Sequence, residues 1–195
     1  MKKKYGMPYM GSKDKILNLI EYIFGRHYDA KYFIDLFCGG GSVFHYALEK
    51  SNFKVIANDI DTYVIALFEE IIFNKSKEIK KVWYNWIDKD VFKDVITNCN
   101  NYPKWYVGFV KTIWSFGNSG KNYLFGKDIE NQKKALHQAL VFDDWSFMKI
   151  EKLEFRASDK IRQIDYKTNS NKRIFFMSEF KKHIGNKRFE LEQLE

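Results

Sequence analysis

Residues 32–59 read YFIDLFCGGGSVFHYALEKSNFKVIAND. YFIDLF (32–37) is a short apolar run with one acidic residue, Asp35, and predicts a strand buried on both faces apart from that carboxylate. Cys38 and the glycines Gly39, Gly40 and Gly41 interrupt it, and Ser42 then starts a helix predicted to run to about Lys50. KVIAND (54–59) predicts a second strand. A glycine turn between strand and helix lets backbone approach a ligand closely, because glycine has no Cβ and tolerates positive φ. The helix N-terminus behind it offers N–H groups to a negative group. Ordinary loops and tight packing use such clusters too, but two details favour a ligand. A carboxylate at Asp35 is costly in an apolar strand unless it has a partner or a ligand. Asp59 ends the second strand about 20 residues past the glycines, where doubly wound nucleotide folds place the carboxylate that accepts ribose hydroxyls. Asp59 also suits a turn or helix cap, a part that Asp61 fits better.

Outward from this stretch, GSKDKILNLIEYIFG (11–25) predicts a helix with Ile16, Leu17, Ile20, Ile23 and Phe24 on one face, Ser12 as its N-cap and Gly25 at its end. DTYVIALFEEIIF (61–73) predicts another, with Val64, Leu67, Phe68, Ile71 and Ile72 on one side. The order β–turn–α–β–α is the start of a doubly wound parallel sheet. Past residue 74 the character changes. KEIKKVWYNWIDKDVFKDVI (77–96) reads as one or two helices, and WYVGFVKTIW (105–114) as helix rather than strand. SFGNSGKNYLFGKD (115–128) reads as a loop and NQKKALHQALVFDDW (131–145) as a helix. The remainder reads as helical, with a polar break at DYKTNSNKR (165–173) and a last helix over RFELEQLE with Leu191 and Leu194 on one face. No further parallel strand is evident. The organisation expected is an α/β part over 1–74 and a helical insert over 75–195.

A chain of 195 residues, 45% hydrophobic, suits one sizeable domain or one domain with a lobe. Its 30% charged and 18% aromatic content excludes a disordered chain. The excess of 33 Lys+Arg over 25 Asp+Glu, a net +8, favours an anionic partner such as DNA or RNA. Lysine-rich surfaces also arise from AT-rich coding sequences, so charge alone leaves that open. Cys38 and Cys99, the 2 cysteines, lie far apart without histidines at ligand spacing, which excludes a disulfide framework and a structural zinc site. The 4 histidines are scattered and suggest no metal site. MKKKYGMPYMGSK has no apolar stretch behind its basic start, and no apolar run is long enough to span a membrane. A reducing, cytoplasmic setting is expected.

The turn is not the dinucleotide G-x-G-x-x-G, nor a phosphate-binding loop with G-K-[ST]. FIDLFCGGGSVFHYAL (33–48) instead resembles the first motif of the Dam-type adenine-specific (N6) DNA methyltransferases. PYMGSK (8–13) is similar to that family's N-terminal cofactor motif, and VIANDID (55–61) to its ribose-binding strand end. The resemblance extends more loosely into WSFGNSGKNYLFG (114–126). It implies a Rossmann-like, S-adenosyl-L-methionine-dependent fold with an incomplete sheet and a large helical insert, in a bacterial or phage-encoded protein of restriction-modification type. It also implies roles. Tyr9 and Lys13 approach the methionine end of the cofactor, Lys13 near its carboxylate. Asp35 faces the amino group. Phe37 and the backbone of Cys38, Gly39, Gly40 and Gly41 line the methionine pocket. Asp59 accepts from the ribose hydroxyls, and Ile60 packs against the adenine. Read without the resemblance, Tyr9 suits a surface aromatic, Lys13 a solvated charge and Ile60 plain core.

One departure is larger than the match. The family's catalytic motif is Asp-Pro-Pro-Tyr or a close variant, which orients the amine of an extruded adenine. The chain has 2 prolines, Pro8 and Pro103, and they are not adjacent. No catalytic residue is therefore assigned. The expected function is adenine N6 methylation of double-stranded DNA by a truncated or split form, completed by a second chain or a missing C-terminal segment. The alternative is a non-catalytic relative that binds cofactor or DNA and acts through a partner. For DNA, Lys104, Lys111, Asn118, Lys121 and Lys127 stand among aromatic residues able to stack on bases. The apolar part of that segment equally suits a helical core, so the loop 117–127 is the stronger candidate.

Overall fold

The computed structural model describes residues 5–142 and Asp144. The polar break at 165–173 and the helix expected at the C-terminal end lie outside the described residues. The chain divides into two compact units, Met1–Leu124 and Phe125–Glu195.

Helix α1 (Leu17–Arg26) leads to strand β1 (Tyr32–Asp35), helix α2 (Ser42–Lys50), strand β2 (Lys54–Ala57) and helix α3 (Thr62–Glu69), which runs into a π-turn over Glu70–Asn74. The strands pair in parallel, Tyr32 opposite Lys54 and Asp35 opposite Ala57. α2 covers the span predicted for it, because Gly41 at φ 78° supplies the sharp entry that a side-chain residue would resist. Asp61 caps α3, its carboxylate accepting from the Tyr63 N–H at 3.1 Å, as its spacing predicted.

Two differences from the sequence reading have physical causes. The first helix begins at Leu17 rather than residue 11, preceded by a 3-10 turn over Asp14–Ile16. The Lys13 N–H is drawn instead to the Ser42 hydroxyl at 3.2 Å, so the chain approaching the helix is fixed by a long-range contact. Gly25 lies inside α1, which closes at His27. Second, β1 is not buried on both faces. Phe33 and Asp35 face inward, while Tyr32 and Ile34, and Leu36 beyond the strand, are 56%, 54% and 57% exposed. Ile56 on β2 is exposed as well.

All the helices with a described place against this sheet lie on the inward side. One core cluster joins Tyr5, Leu17, Phe24, Val43, Tyr46 and Ala47 to Phe33, Phe53 and Val55. A second joins Cys38, Phe44, Val64 and Phe68 to Val55 and Ala57. Beyond α3 follow α4 (Lys77–Tyr84), α5 (Lys89–Thr97) and α6 (Lys104–Ile113). α3 lies along α6, and the approach is close: a Cβ on Gly108 would stand 2.1 Å from the Tyr63 carbonyl oxygen. In the second unit, α7 (Lys127–Phe142) is a helix whose Ala135, Leu136 and Ala139 are buried.

Candidate functional site

The segment Tyr5–Lys13 lies over the glycine turn. The Met7 N–H donates to the Gly40 carbonyl at 2.7 Å, and the Gly6 N–H donates to His45 Nδ1 at 2.9 Å. Gly6 (φ +72°) presses so close that a Cβ would stand 2.3 Å from the Gly40 oxygen. On Gly40 itself, a Cβ would meet Tyr9 Cβ at 2.3 Å. Small residues on both sides are thus what allow the two backbones to touch. The Lys13 ammonium closes the far end by donating to the Phe37 carbonyl at 2.7 Å.

The loop after β2 holds the turn from the other side. Asp59 Oδ2 accepts from the Gly39 N–H at 2.8 Å and Oδ1 from the Asp61 N–H at 3.0 Å. Asn58 continues the parallel pairing past the strands, donating to the Asp35 carbonyl at 2.8 Å and accepting from the Cys38 N–H at 2.9 Å. Each carboxylate oxygen of Asp59 retains a second lone pair.

Asp35, 8% exposed, ends β1 beneath the turn, and its Oδ2 has no hydrogen-bond partner among the described residues. Burial pushes its carboxyl above the ordinary range, against the opposing pull of Lys13 and of nearby backbone N–H groups. The Cys38 thiol, buried and near Asp59 and Asp35, is pushed up to about 12. Tyr9 is likewise raised, first by burial and then by Asp59 and Asp61. Phe37 and Ile60 flank this surface and are 74% and 96% exposed, so Ile60 is not plain core.

The structure therefore brings Tyr9, Lys13, Asp35, Phe37, Cys38, Gly39, Gly40, Gly41 and Asp59 around one turn, with Ile60 exposed beside Asp59. Sequence reasoning passed over His45 and Gly6, and a polar residue on the inner face of the helix from Ser42 was the signal available for the first.

The sequence matches the family described as D12 class N6 adenine-specific DNA methyltransferase over residues 9–194. The chain belongs to this family. It is also similar to the Type II methyltransferase M.FokI of Planomicrobium okeanokoites, 28% identical over 153 residues. That alignment covers 71% of the chain and 23% of the relative, so the chain spans about a quarter of the length of the curated relative it matches. No solved structure matches the chain.

In this methyltransferase-family chain the residues singled out for DNA divide between the units. Lys104 opens α6 and is exposed, and Lys127 opens α7 in the second unit. Lys111 is engaged: its ammonium pairs with Asp61 at 2.6 Å, lies over the Tyr63 ring at 5.0 Å, and its stem runs beneath Gly120. Loop 115–123 is built around Ser115, whose hydroxyl donates to the Lys111 carbonyl at 2.5 Å and accepts from the Gly120 N–H at 2.8 Å. Asn118, at φ 55°, donates from Nδ2 to the Thr112 carbonyl at 2.6 Å. Phe116 and Lys121 project outward from this braced loop. Among the described residues, no group of three or more metal-ligating side chains converges, and no helix is long and apolar enough to cross a membrane.

Proposed function

We propose that the surface around the glycine turn binds S-adenosyl-L-methionine, within a Rossmann-like domain that supplies the methyl donor for adenine N6 methylation of DNA. The observation that carries this reading is the buried, unpartnered Asp35 Oδ2 beneath the turn. A carboxylate is left in that state at a cost that a cationic ligand group offsets, and the cofactor's α-ammonium is such a group. The bound cofactor supplies a methyl group on sulfonium for transfer.

The chain's own residues bind and orient. Lys13, held on the Phe37 carbonyl, sets a positive charge at the methionine end. Asp59, fixed by two backbone N–H groups, directs its remaining lone pairs at the ribose hydroxyls. Phe37 and Ile60 offer apolar surface, and Tyr9 backs Gly39 and Gly40 so that the turn keeps its shape. Over DNA, Lys104, Asn118, Lys121 and Lys127 contact the duplex, and Lys111 contributes by bracing the loop.

The group that orients the adenine amine comes from outside these 195 residues, on a second chain or a further segment, since the sequence has no Asp-Pro-Pro-Tyr. Among the described residues nothing covers one side of the sheet, where Tyr32, Ile34, Leu36 and Ile56 are exposed, and parallel sheets are stable when both faces are covered. Calorimetry with S-adenosyl-L-methionine tests the cofactor reading. Binding that is lost in Asp35→Ala and Asp59→Ala supports it, and a folded wild-type chain giving no binding heat overturns it.

A further inference from the structure

His45 lies on α2 just behind the glycine turn, and nothing in the proposed chemistry uses it. Its Nδ1 accepts the Gly6 N–H at 2.9 Å. Acceptance at Nδ1 requires a neutral ring carrying its proton on Nε2. An imidazolium has N–H groups at both positions, so protonation would set two donors face to face.

Gly6 has no room to yield. Its Cα sits against the Gly40 carbonyl, and the next residue, Met7, donates to that same oxygen. His45, Gly6, Met7 and Gly40 thus form one continuous clamp between α2, the N-terminal segment and the turn. Tyr9 and Lys13 follow on the clamped segment.

We propose that His45 is the positioning residue of the cofactor site, holding the 5–13 segment on the turn through its neutral imidazole. The proposal rests on reading the turn as the S-adenosyl-L-methionine surface. Its chemistry predicts that the site loosens on acidification. Among the described residues, titratable groups of α1, α2 and the N-terminal segment stand near His45. The Tyr5 ring meets it edge-on at 5.3 Å, and the Tyr5 hydroxyl reaches Glu49 at 3.5 Å on the same helix face. Glu49 lies 3.6 Å from Lys50. From α1, Glu21 bonds the Tyr46 hydroxyl, which burial above all and then Glu21 push up to about 12, so that hydroxyl keeps its proton throughout. Histidine is the residue whose charge changes between about pH 5 and 8.

The test pairs cofactor calorimetry with hydrogen exchange of residues 5–13 in the ligand-free full chain, each run at about pH 8 and about pH 5.5. Wild type should lose about tenfold in affinity at the lower pH, the worth of roughly one hydrogen bond, with faster exchange after correction for intrinsic rates. His45→Asn places an uncharged acceptor near Nδ1, and should keep its affinity and protection at both values. His45→Ala should lose both at either. A His45→Asn variant that follows the wild-type pH curve, or wild-type exchange that does not change, overturns the clamp. A wild type with no binding heat at either pH overturns the cofactor reading instead, while exchange still judges the clamp.

Discussion

Asp59 and Gly39 stand 20 residues apart in sequence, and the Asp59 carboxylate holds the Gly39 N–H at 2.8 Å. The residue proposed to meet the cofactor's ribose is thereby also a structural pin of the turn proposed to face the methionine. Its second oxygen holds the Asp61 N–H. Asp59→Asn should therefore fail at both tasks, because an amide NH2 must replace one of two acceptors and meet a backbone donor. The expected loss is about 1–3 kcal/mol of unfolding free energy, the cost of an unsatisfied buried donor, read by urea titration in the absence of any ligand. An unchanged midpoint would remove the pin.

Asp35 should behave in the opposite way. Its folded pKa is raised by burial, so between the unfolded pKa and the folded one the native state holds the extra proton and stability falls as pH rises. Above the folded pKa that cost is fully present; below the unfolded pKa it is gone. Asp35→Asn should then be more stable than wild type near neutral pH, by on the order of 1 kcal/mol, and lose this advantage in acid. Thermal melts at several pH values read the crossover. The same variant should bind S-adenosyl-L-methionine poorly, a trade of function for stability.

The lysines near loop 115–123 should separate by salt. Lys121 projects outward, so Lys121→Ala should lower the slope of log affinity for duplex DNA against log salt by about 1. Lys111 is held by Asp61, and Lys111→Ala should instead appear as a stability loss of about 1 kcal/mol, with little change in slope. Filter binding across a salt series on both variants decides this. Equal slope changes would return Lys111 to the DNA surface.

Gly108 is where α6 meets α3. A methyl group there would fall 2.1 Å from the Tyr63 carbonyl oxygen and 3.2 Å from Leu67 Cβ. Gly108→Ala should gain helix propensity yet lose about 1–3 kcal/mol through forced separation of the helices. A melting temperature at or above the wild-type value would show that the helices move apart freely.

The legible part of the fold was its local part. The helix from Ser42 to Lys50 and the cap at Asp61 were written in neighbouring residues. Contacts over longer separation were not: the start of α1 moved because Ser42 captures the Lys13 N–H. The strand burial was misjudged because an apolar run states only that both faces are able to be covered, not that both are. Tyr32 and Ile34 are exposed on one face that no described residue covers. Around the turn, the motif residues came together as a set, while His45 and Gly6 stayed hidden because their partners lie 39 residues away.

The segment over the turn has a further consequence for the order of folding. Tyr5–Lys13 leave the ribosome before β1 and α2, yet their partners at Gly40, Ser42 and His45 come only with the turn and α2. The segment has nothing to dock on until β1, the turn and α2 exist, so it is ordered late although it is made early. Outside any strand, and held by hydrogen bonds together with the packing of Tyr5, Met7 and Tyr9, it also belongs among the parts that open before the helices under native conditions. The proposed ligand surface is thus completed at the end of folding, and proteolysis of the native chain should nick it before it cuts the helices behind it.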